Sequence, residues 1–295
     1  MHATARRSGA TTTAVTTSGA RASVRGAVGR PLVYLVLVLL AFLAAFPFYW
    51  ILVGSLMKPV ELFARIPHVW PTAPSLGAYG RIFELVPLAR YFFNSILVGA
   101  ITVVVAVLVS SAAGYCFAQL QFPGRAILFG LTLATLMVPF QSRIVPLFVM
   151  FTGWGLNNTY AGIIIPGLAS AFGVFMMTQF FQSLPPEMRE AALIDGASEA
   201  RIFLQVFLPV ARPGVATLAL FTFMQSWDQL LWPMIIAPKP DMRTLQVGLA
   251  FINQTALTWN NTMAAIVLSV IPMVLAFIVA QNQFIEGISA GAVKE

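Results

Sequence analysis

YFFNSILVGAITVVVAVLVSSAAGYCFA, residues 91–118, contains no Asp, Glu, Lys or Arg. A run of about 20 apolar residues is long enough for a helix to cross the hydrocarbon core of a bilayer. This stretch therefore reads as a transmembrane helix. Working outward, runs of the same kind lie near 31–57, 126–150, 159–181, 214–236 and 262–284, which makes six spans. Composition agrees: of 295 residues 59% are hydrophobic and only 9% charged, whereas about a quarter of an ordinary soluble domain is charged. The expected fold class is all-α, a polytopic membrane protein with six transmembrane helices.

A net charge of +7 would suggest nucleic acid in a soluble chain. Here the basic residues sit in the arm and loops that flank apolar runs, so no nucleic-acid partner is expected. Six spans put both termini on one side. Ten basic residues then fall on the terminal side and six on the other, which makes the N and C termini cytoplasmic. The assignment depends on Arg6, Arg7, Arg21, Arg25 and Arg30, because without them the count is five against six. Residues 1–30 contain no acid and are rich in Thr, Ser, Ala and Gly, as in a disordered cytoplasmic arm. Arg6-Arg7 resembles a twin-arginine export signal, but the apolar run from Pro31 exceeds the roughly 7 to 15 residues of a signal core. It is expected to remain as an anchor, so that 31–295 forms the membrane domain. Pro59, Pro67, Pro71, Pro74, Pro238 and Pro240 give the outer segments turn chemistry. Trp50, Trp70, Trp154, Trp232 and Trp259 fall near span ends or in these loops, as in an aromatic belt.

Several chemistries lack a basis. Cys116 is the only cysteine, and His2 and His68 are far apart, so neither a disulfide, a metal site nor a Cys/His catalytic pair is expected. No G-x-x-x-x-G-K-[ST] phosphate loop occurs and no acid or His cluster is placed to activate water. The chain is expected to be no enzyme, with no catalytic residue and no cofactor of its own. Within the spans, Ala106, Ser110 and Gly114 recur every fourth position, a spacing that lets helices approach closely. Pro139 and Pro146, and Pro166 followed by Gly167, interrupt the third and fourth spans. Breaks of that kind are tolerated where protein or a water-filled cavity satisfies the freed carbonyls, and they fit a translocation path.

One polar island interrupts this pattern: EAALIDGASEARIFLQVFLP, residues 190–209. It reads as helix, turn, helix in a cytoplasmic loop over 182–213. Ser183 is expected to cap the first helix, with Pro185 and Pro186 in its first turn and Glu187 and Glu190 at the positive end of its dipole. Met188, Ala191 and Ala192 share a face. Gly196 supplies the left-handed stop, and Ser198 caps a second helix carrying Ile202, Phe203 and Val206 as far as Pro209. So small a helix pair buries too little to stand alone and needs a surface to dock on.

Glu190-Ala191-Ala192, Asp195-Gly196-Ala197, Ile202 and Leu208-Pro209 resemble the EAA loop of membrane subunits of ATP-binding-cassette (ABC) importers. FNSILVGAITVVVAVLVSSAAGYCFAQLQFPGR (93–125), LMVPFQ (136–141), LNNTYAGIIIP (156–166), SWDQLLWP (226–233) and GISAGAVKE (287–295) extend the likeness to maltose-type carbohydrate importers, especially the shorter of their two permease subunits. The resemblance covers roughly 31–295. It implies the ABC type I importer permease fold in a bacterial cytoplasmic (inner) membrane, with 186–196 as the coupling helix. Glu190, Ala191, Ala192, Asp195, Gly196 and Ala197 would then engage the ATPase. A cytoplasmic tail over 285–295, through Gly291, Ala292, Val293 and Lys294, would reach toward the ATPase dimer. The implied partners are a second, different permease, a dimer of ATPase subunits that bind ATP and Mg, an extracytoplasmic solute-binding protein, a sugar or sugar derivative, and membrane lipid. Importers of glycerol phosphate esters or another polyol lie within the same family.

Two positions depart from the family pattern: Asp228 follows Trp227 where Asn is usual, and Arg143 stands where an apolar residue is usual. An ionisable residue inside a membrane is a functional candidate by default. Arg143 and Asp228 either pair as a structural lock or, with Gln229, line the translocation path. A rival of another class, an ion-coupled secondary transporter or channel, would need several paired charges near the midplane and has no use for the EAA loop.

Overall fold

The computed structural model describes residues 21–65, 68–252 and 258–292, with side chains assigned over 33–282 of these. Among them every regular element is helical. In chain order these are α1 (Arg21–Leu56), α2 (Pro59–Leu62), α3 (Gly77–Leu85), α4 (Leu88–Gln119), α5 (Arg125–Ala134), α6 (Phe140–Gly153), α7 (Tyr160–Ile164), α8 (Ala171–Gln182), α9 (Glu187–Ile194), α10 (Glu199–Ile202), α11 (Leu208–Val210), α12 (Arg212–Trp227), α13 (Leu231–Ile236), α14 (Leu245–Ile252) and α15 (Trp259–Ala292). The expected all-α, polytopic class is what the structure has.

The chain divides into two units, Met1–Trp50 and Ile51–Glu295. In the first, α1 exposes apolar side chains along most of its length, from Val33 through Phe48, with Phe46 stacked on Trp50 at 6.4 Å. A helix apolar on all faces belongs in lipid or against another membrane helix. Its start corrects one expectation: residues 21–30, read as part of the disordered arm, are helical. Their Ala and Arg residues are good helix formers and extend an apolar helix backward at little cost. Residues 1–20 lie outside the described residues.

Among the described residues, three helices are long and apolar enough to cross a membrane: Val33–Leu56, Leu88–Gln119 and Trp259–Asn282. Three bent pairs bring the total to six if each counts as one span: Arg125–Met137 with Phe140–Gly153 at 99°, Tyr160–Gly167 with Ala171–Gln182 at 42°, and Glu199–Val210 with Arg212–Trp227 at 81°. The third and fourth expected spans are therefore broken, and prolines explain where. Val138 is extended (ψ 110°) because Pro139 disfavours the helical region for the residue before it. Pro166 sits in a 3-10 turn, Ile165–Gly167, and Ser170 starts the helix again by accepting a hydrogen bond from the Gly173 N–H. Pro146 lies within α6. The fifth run, 214–236, is also discontinuous: α12 ends at Trp227 and α13 begins at Leu231.

The second unit is organised around α4, which packs most extensively on α8 and α12, while α12 packs on α15. The small-residue stripe makes the closest of these approaches. Ala106, Ser110 and Gly114 are buried. A Cβ at Gly114 would stand 2.7 Å from Met177 Cβ and 2.9 Å from the Met177 backbone carbon, so only glycine allows α4 and α8 to meet there. Toward the other end of α4, the Asn94 amide donates to the Asp241 and Arg243 carbonyls (3.0 and 2.8 Å) and accepts from the Tyr160 hydroxyl. These bonds pin the 237–244 loop over the bundle.

Candidate functional site

The polar island folds as a hairpin whose inner face rests on the rest of the chain. Tyr115, Met177, Phe181, Ile202, Phe207, Ala211 and Leu218 form a buried cluster, against which Met188, Ala192, Ala197, Phe203 and Val206 pack. Tyr115 is its centre, with ring centroids 5.1 Å from Phe207, 5.3 Å from Phe203 and 6.0 Å from Phe181. The surface that the hairpin needs is thus supplied partly by its own chain.

The turn between the helices is closed as expected, by Gly196 at φ +77°. The Gly196 N–H donates to the Leu193 carbonyl (3.0 Å) and the Ala197 N–H to the Ala192 carbonyl (3.0 Å), the paired bonds of a Schellman motif. Other local expectations are corrected. Ser183 ends α8, its hydroxyl donating to the Phe180 carbonyl at 2.7 Å, and Pro186 stands at the N-cap of α9 without a side-chain cap. A serine one turn past an existing helix satisfies that helix's carbonyl first. Ser198 occupies the N-cap of α10 but makes no capping bond. Pro209 does not stop the second helix, which continues to Val210 through a π-helical stretch, Phe203–Phe207. The wider π turn accommodates the ring that would clash with a regular α-helix. Ala191, expected beside Met188 and Ala192, is exposed.

One polar network ties the hairpin to α4. Tyr115 Oη donates to Glu199 Oε2 at 2.8 Å, Arg189 Nε donates to the same oxygen at 3.3 Å, and Arg189 Nη2 pairs with Glu199 Oε1. The Arg189 guanidinium holds the Glu199 carboxyl below the usual carboxylate range, with the Tyr115 hydroxyl adding to the effect. Glu199 in turn raises Arg189. Among the described residues this is the one ion pair within 4 Å. Glu199 is one of the charges of the polar island, but its pairing with Tyr115 was not legible in the sequence, because residues 115 and 199 are brought together only by the fold.

Outward, the hairpin presents Glu187, Glu190, Ala191, Asp195 and Gly196, all exposed, together with Ile194 at 87% exposure. Ala192 and Ala197 are half-buried on the inner side. The six residues of the motif therefore divide between a face that anchors and a face that is open.

Arg143 and Asp228 are not paired with each other. Arg143 is exposed, with its guanidinium carbon 5.7 Å from the ring centroid of Phe140, one turn earlier in α6. The aromatic ring next door satisfies the cation without a long-range partner. Asp228 is exposed in the break after α12. Gln229 lines a cavity of about 80 Å³ between α4, α7, α8 and α12. At the C terminus, helix α15 runs past the expected span end of 284 and takes in Gly291 and Ala292, while Val293 and Lys294 lie outside the described residues. No group of three or more metal-ligating side chains occurs among the described residues.

Comparison with known proteins fits this architecture. The chain is 34% identical over 259 residues to the arabinooligosaccharides transport system permease protein of Halalkalibacterium halodurans, covering 86% of this chain and 93% of that protein. It is 30% identical over 272 residues to the sn-glycerol-3-phosphate transport system permease protein of Agrobacterium fabrum, covering 88% and 96%. Its fold matches a chain of a bacterial ABC transporter involved in the import of the acidic polysaccharide alginate, with a TM-score of 0.78, 23% identity, and coverage of 91% of this chain and 100% of the other. The family model of the binding-protein-dependent transport system inner membrane component matches residues 106–289. The bent helices, the anchored hairpin and these likenesses agree: the chain belongs to the family of inner membrane components of binding-protein-dependent transport systems.

Proposed function

We propose that the chain is the non-catalytic permease subunit of an importer that carries a sugar or sugar derivative across the bacterial cytoplasmic membrane, driven by ATP that separate subunits hydrolyse. Similarity to a permease named for arabinooligosaccharides supports the substrate class. The observation that carries the coupling is the two-sided hairpin. Its inner face is fixed to α4, α8 and α12, so force on the outer face is transmitted to the bundle rather than absorbed by a loop. The outer face, with Glu190, Ala191, Asp195 and Gly196 around the exposed Ile194, is the surface an ATPase subunit covers. The same orientation has six spans with both termini cytoplasmic, 182–213 as the cytoplasmic loop, and the C-terminal tail from Gly291 to Lys294 beside the ATPase dimer. A second, different permease completes the path, a solute-binding protein delivers substrate from outside, and lipid surrounds the rest. Closure of the ATPases around ATP moves the hairpins together, and rigid-body rocking of the bundles exposes the path alternately to each side. Arg143, Asp228 and Gln229 stand along that path.

The test is reconstitution with the cognate ATPase, second permease and binding protein, comparing the native chain with Glu190→Ala and Gly196→Pro. Proline cannot adopt the positive φ at 196. Normal insertion with ATP-driven uptake lowered about tenfold, equivalent to roughly 1.4 kcal/mol of lost docking, is expected. Unchanged ATPase association and uptake in both variants would refute the coupling role.

A further inference from the structure

A groove on the second unit differs from the surface around it. α12 forms its floor, with α4 on one side and α15 on the other, and it holds about 730 Å³. Five alanines, Ala100, Ala216, Ala219, Ala276 and Ala280, give it depth, whereas Val274, Phe277 and Ile278 nearby on α15 present large exposed side chains. Arg212 is the one charged residue in the lining, and the rest of the lining is apolar. It opens α12, and Phe223 is the last lining residue on that helix. Eleven residues of helix rise about 16 Å, close to half of the roughly 30 Å hydrocarbon core of a bilayer. The groove therefore has the length of one leaflet, with a cation at one end.

Electrostatics set Arg212 apart as well. Arg125, Arg189 and Arg201, expected on the same side of the membrane, each bond within the chain: Arg125 to the Leu120 carbonyl, Arg189 to Glu199 and Arg201 to Gln205. Arg212 is exposed and its side chain bonds to no other group among the described residues. The first turn of α12 holds no acid and its N-cap supplies no capping side chain, so the positive end of the helix dipole adds to the guanidinium. Snorkelling carries an arginine to the membrane interface, but it accounts for the cation and not for the alanine-lined channel beneath. A membrane helix such as α1 is a poor occupant, because residues 21–30 would bring Arg21, Arg25 and Arg30 and no acid to a cationic end. Basic pockets between membrane helices suit anionic lipid headgroups, whose acyl chains supply the apolar body that such a channel takes.

From these observations we infer that the groove binds one anionic phospholipid of the phosphatidylglycerol kind, its phosphate on Arg212 and an acyl chain lying over the alanines toward Phe223. The site requires only that the chain spans a membrane, as an inner membrane component does. In the orientation proposed above, the lipid belongs to the cytoplasmic leaflet. Ala211, next to Arg212, is fully buried in the cluster that seats the hairpin, so the headgroup lies one residue from the hairpin's anchor.

The test uses the complete transporter in phosphatidylcholine nanodiscs doped with phosphatidylglycerol that carries a photoactivatable diazirine on its acyl chain. After illumination, peptide mass spectrometry measures adducts on residues 212–223 and 275–280 as a share of all label on the complex. In the native complex these two segments are enriched, and phosphatidylcholine bearing the same diazirine shows no such enrichment. Arg212→Gln lowers groove labelling about fivefold with assembly unchanged, the effect expected of one basic residue at an anionic surface. Arg212→Lys, which keeps the charge, retains most of it, and Ala276→Leu, which fills the channel but leaves the cation, lowers it too. Equal groove labelling in the native and Arg212→Gln complexes, or by both lipids, overturns the inference. So does competition by soluble sn-glycerol 3-phosphate, which would mark an anion site that makes no use of the groove. Label elsewhere on the complex with none in the groove also overturns it, and means that a protein helix, α1 or one from the second permease, covers these residues.

Discussion

Two polar regions of this membrane protein treat their polar groups in opposite ways. In the hairpin, Glu199 is held by Arg189 and Tyr115, the helix end is closed by Gly196 and Ala197, and an aromatic cluster lies beneath. In the cavity beside Gln229, Thr102 and Thr222 bond to nothing among the described residues. Partnered groups fix a shape, whereas hydroxyls that face open cavity space leave their bonding capacity free. The first region can transmit force because its own bonds hold it rigid, and the second leaves open space where two spans are interrupted.

If the hairpin is a rigid transmitter, the largest effect should come from its apolar anchor. Phe207 is fully buried beneath Tyr115, and Phe207→Ala is expected to cost about 3 to 5 kcal/mol. In detergent, scanning fluorimetry should show the greatest fall in Tm for this variant, with uptake lost. A normal Tm would mean that the hairpin is only loosely seated.

Next comes the turn. A Cβ at Gly196 would meet nothing within 4 Å, so Gly196→Ala isolates backbone strain at φ +77°, expected to be about 1 kcal/mol. Hydrogen exchange should be faster across α9 and unchanged in α4. Glu199→Ala is expected to cost a similar ~1 kcal/mol, because the carboxylate side chain is 39% exposed and solvent screens the pair. The pH dependence has a definite sign. The folded pKa of Glu199 is depressed, so its contribution is complete above the ordinary glutamate value of about 4.3 and is lost as pH falls through the lower folded value. Tm should therefore show no Glu199-dependent change from pH 8 to 5, and Glu199→Gln should flatten only the acid limb.

The smallest effect sharpens the contrast most. Thr178 is fully buried and donates to the Val174 carbonyl at 2.7 Å, so Thr178→Val should cost about 1 kcal/mol, whereas Thr102→Val should change stability by no more than about 0.5 kcal/mol. Equal losses measured by fluorimetry would mean that the Thr102 hydroxyl is structural after all.

What could be read from the chain alone follows from the range of each interaction. The apolar runs, the close-packed stripe at Ala106, Ser110 and Gly114, and the left-handed stop at Gly196 are local signals, and each appears in the structure. Ser183 and Pro209 misled because neighbouring backbone offered the competing solution, a carbonyl of α8 in one case and a π turn in the other. The breaks after Thr135–Met137 and Ile165–Gly167 were marked by proline, but the bends of 99° and 42° depend on packing. Arg143 and Asp228 drew attention as isolated charges, although Arg143 finds a ring one turn away. The network around Glu199 and the cavity around Thr102 join residues from distant parts of the chain, and hydroxyls in membrane helices are too common for any one to stand out. Of the cavity's polar residues, only Gln229 was marked as a path candidate.

The two-faced hairpin can be tested directly by cysteine cross-linking in the assembled transporter. Cys116 is the single native cysteine, so a Cys116→Ala background leaves one introduced thiol at a time. Ile194→Cys marks the open face and Met188→Cys the face packed on the Tyr115 cluster. With a short bifunctional reagent, the account predicts that Ile194→Cys cross-links to the ATPase subunit in a nucleotide-dependent manner and that Met188→Cys does not. Cross-linking from neither position, or equally from both, would contradict the claim that one face anchors the hairpin while the other receives the ATPase.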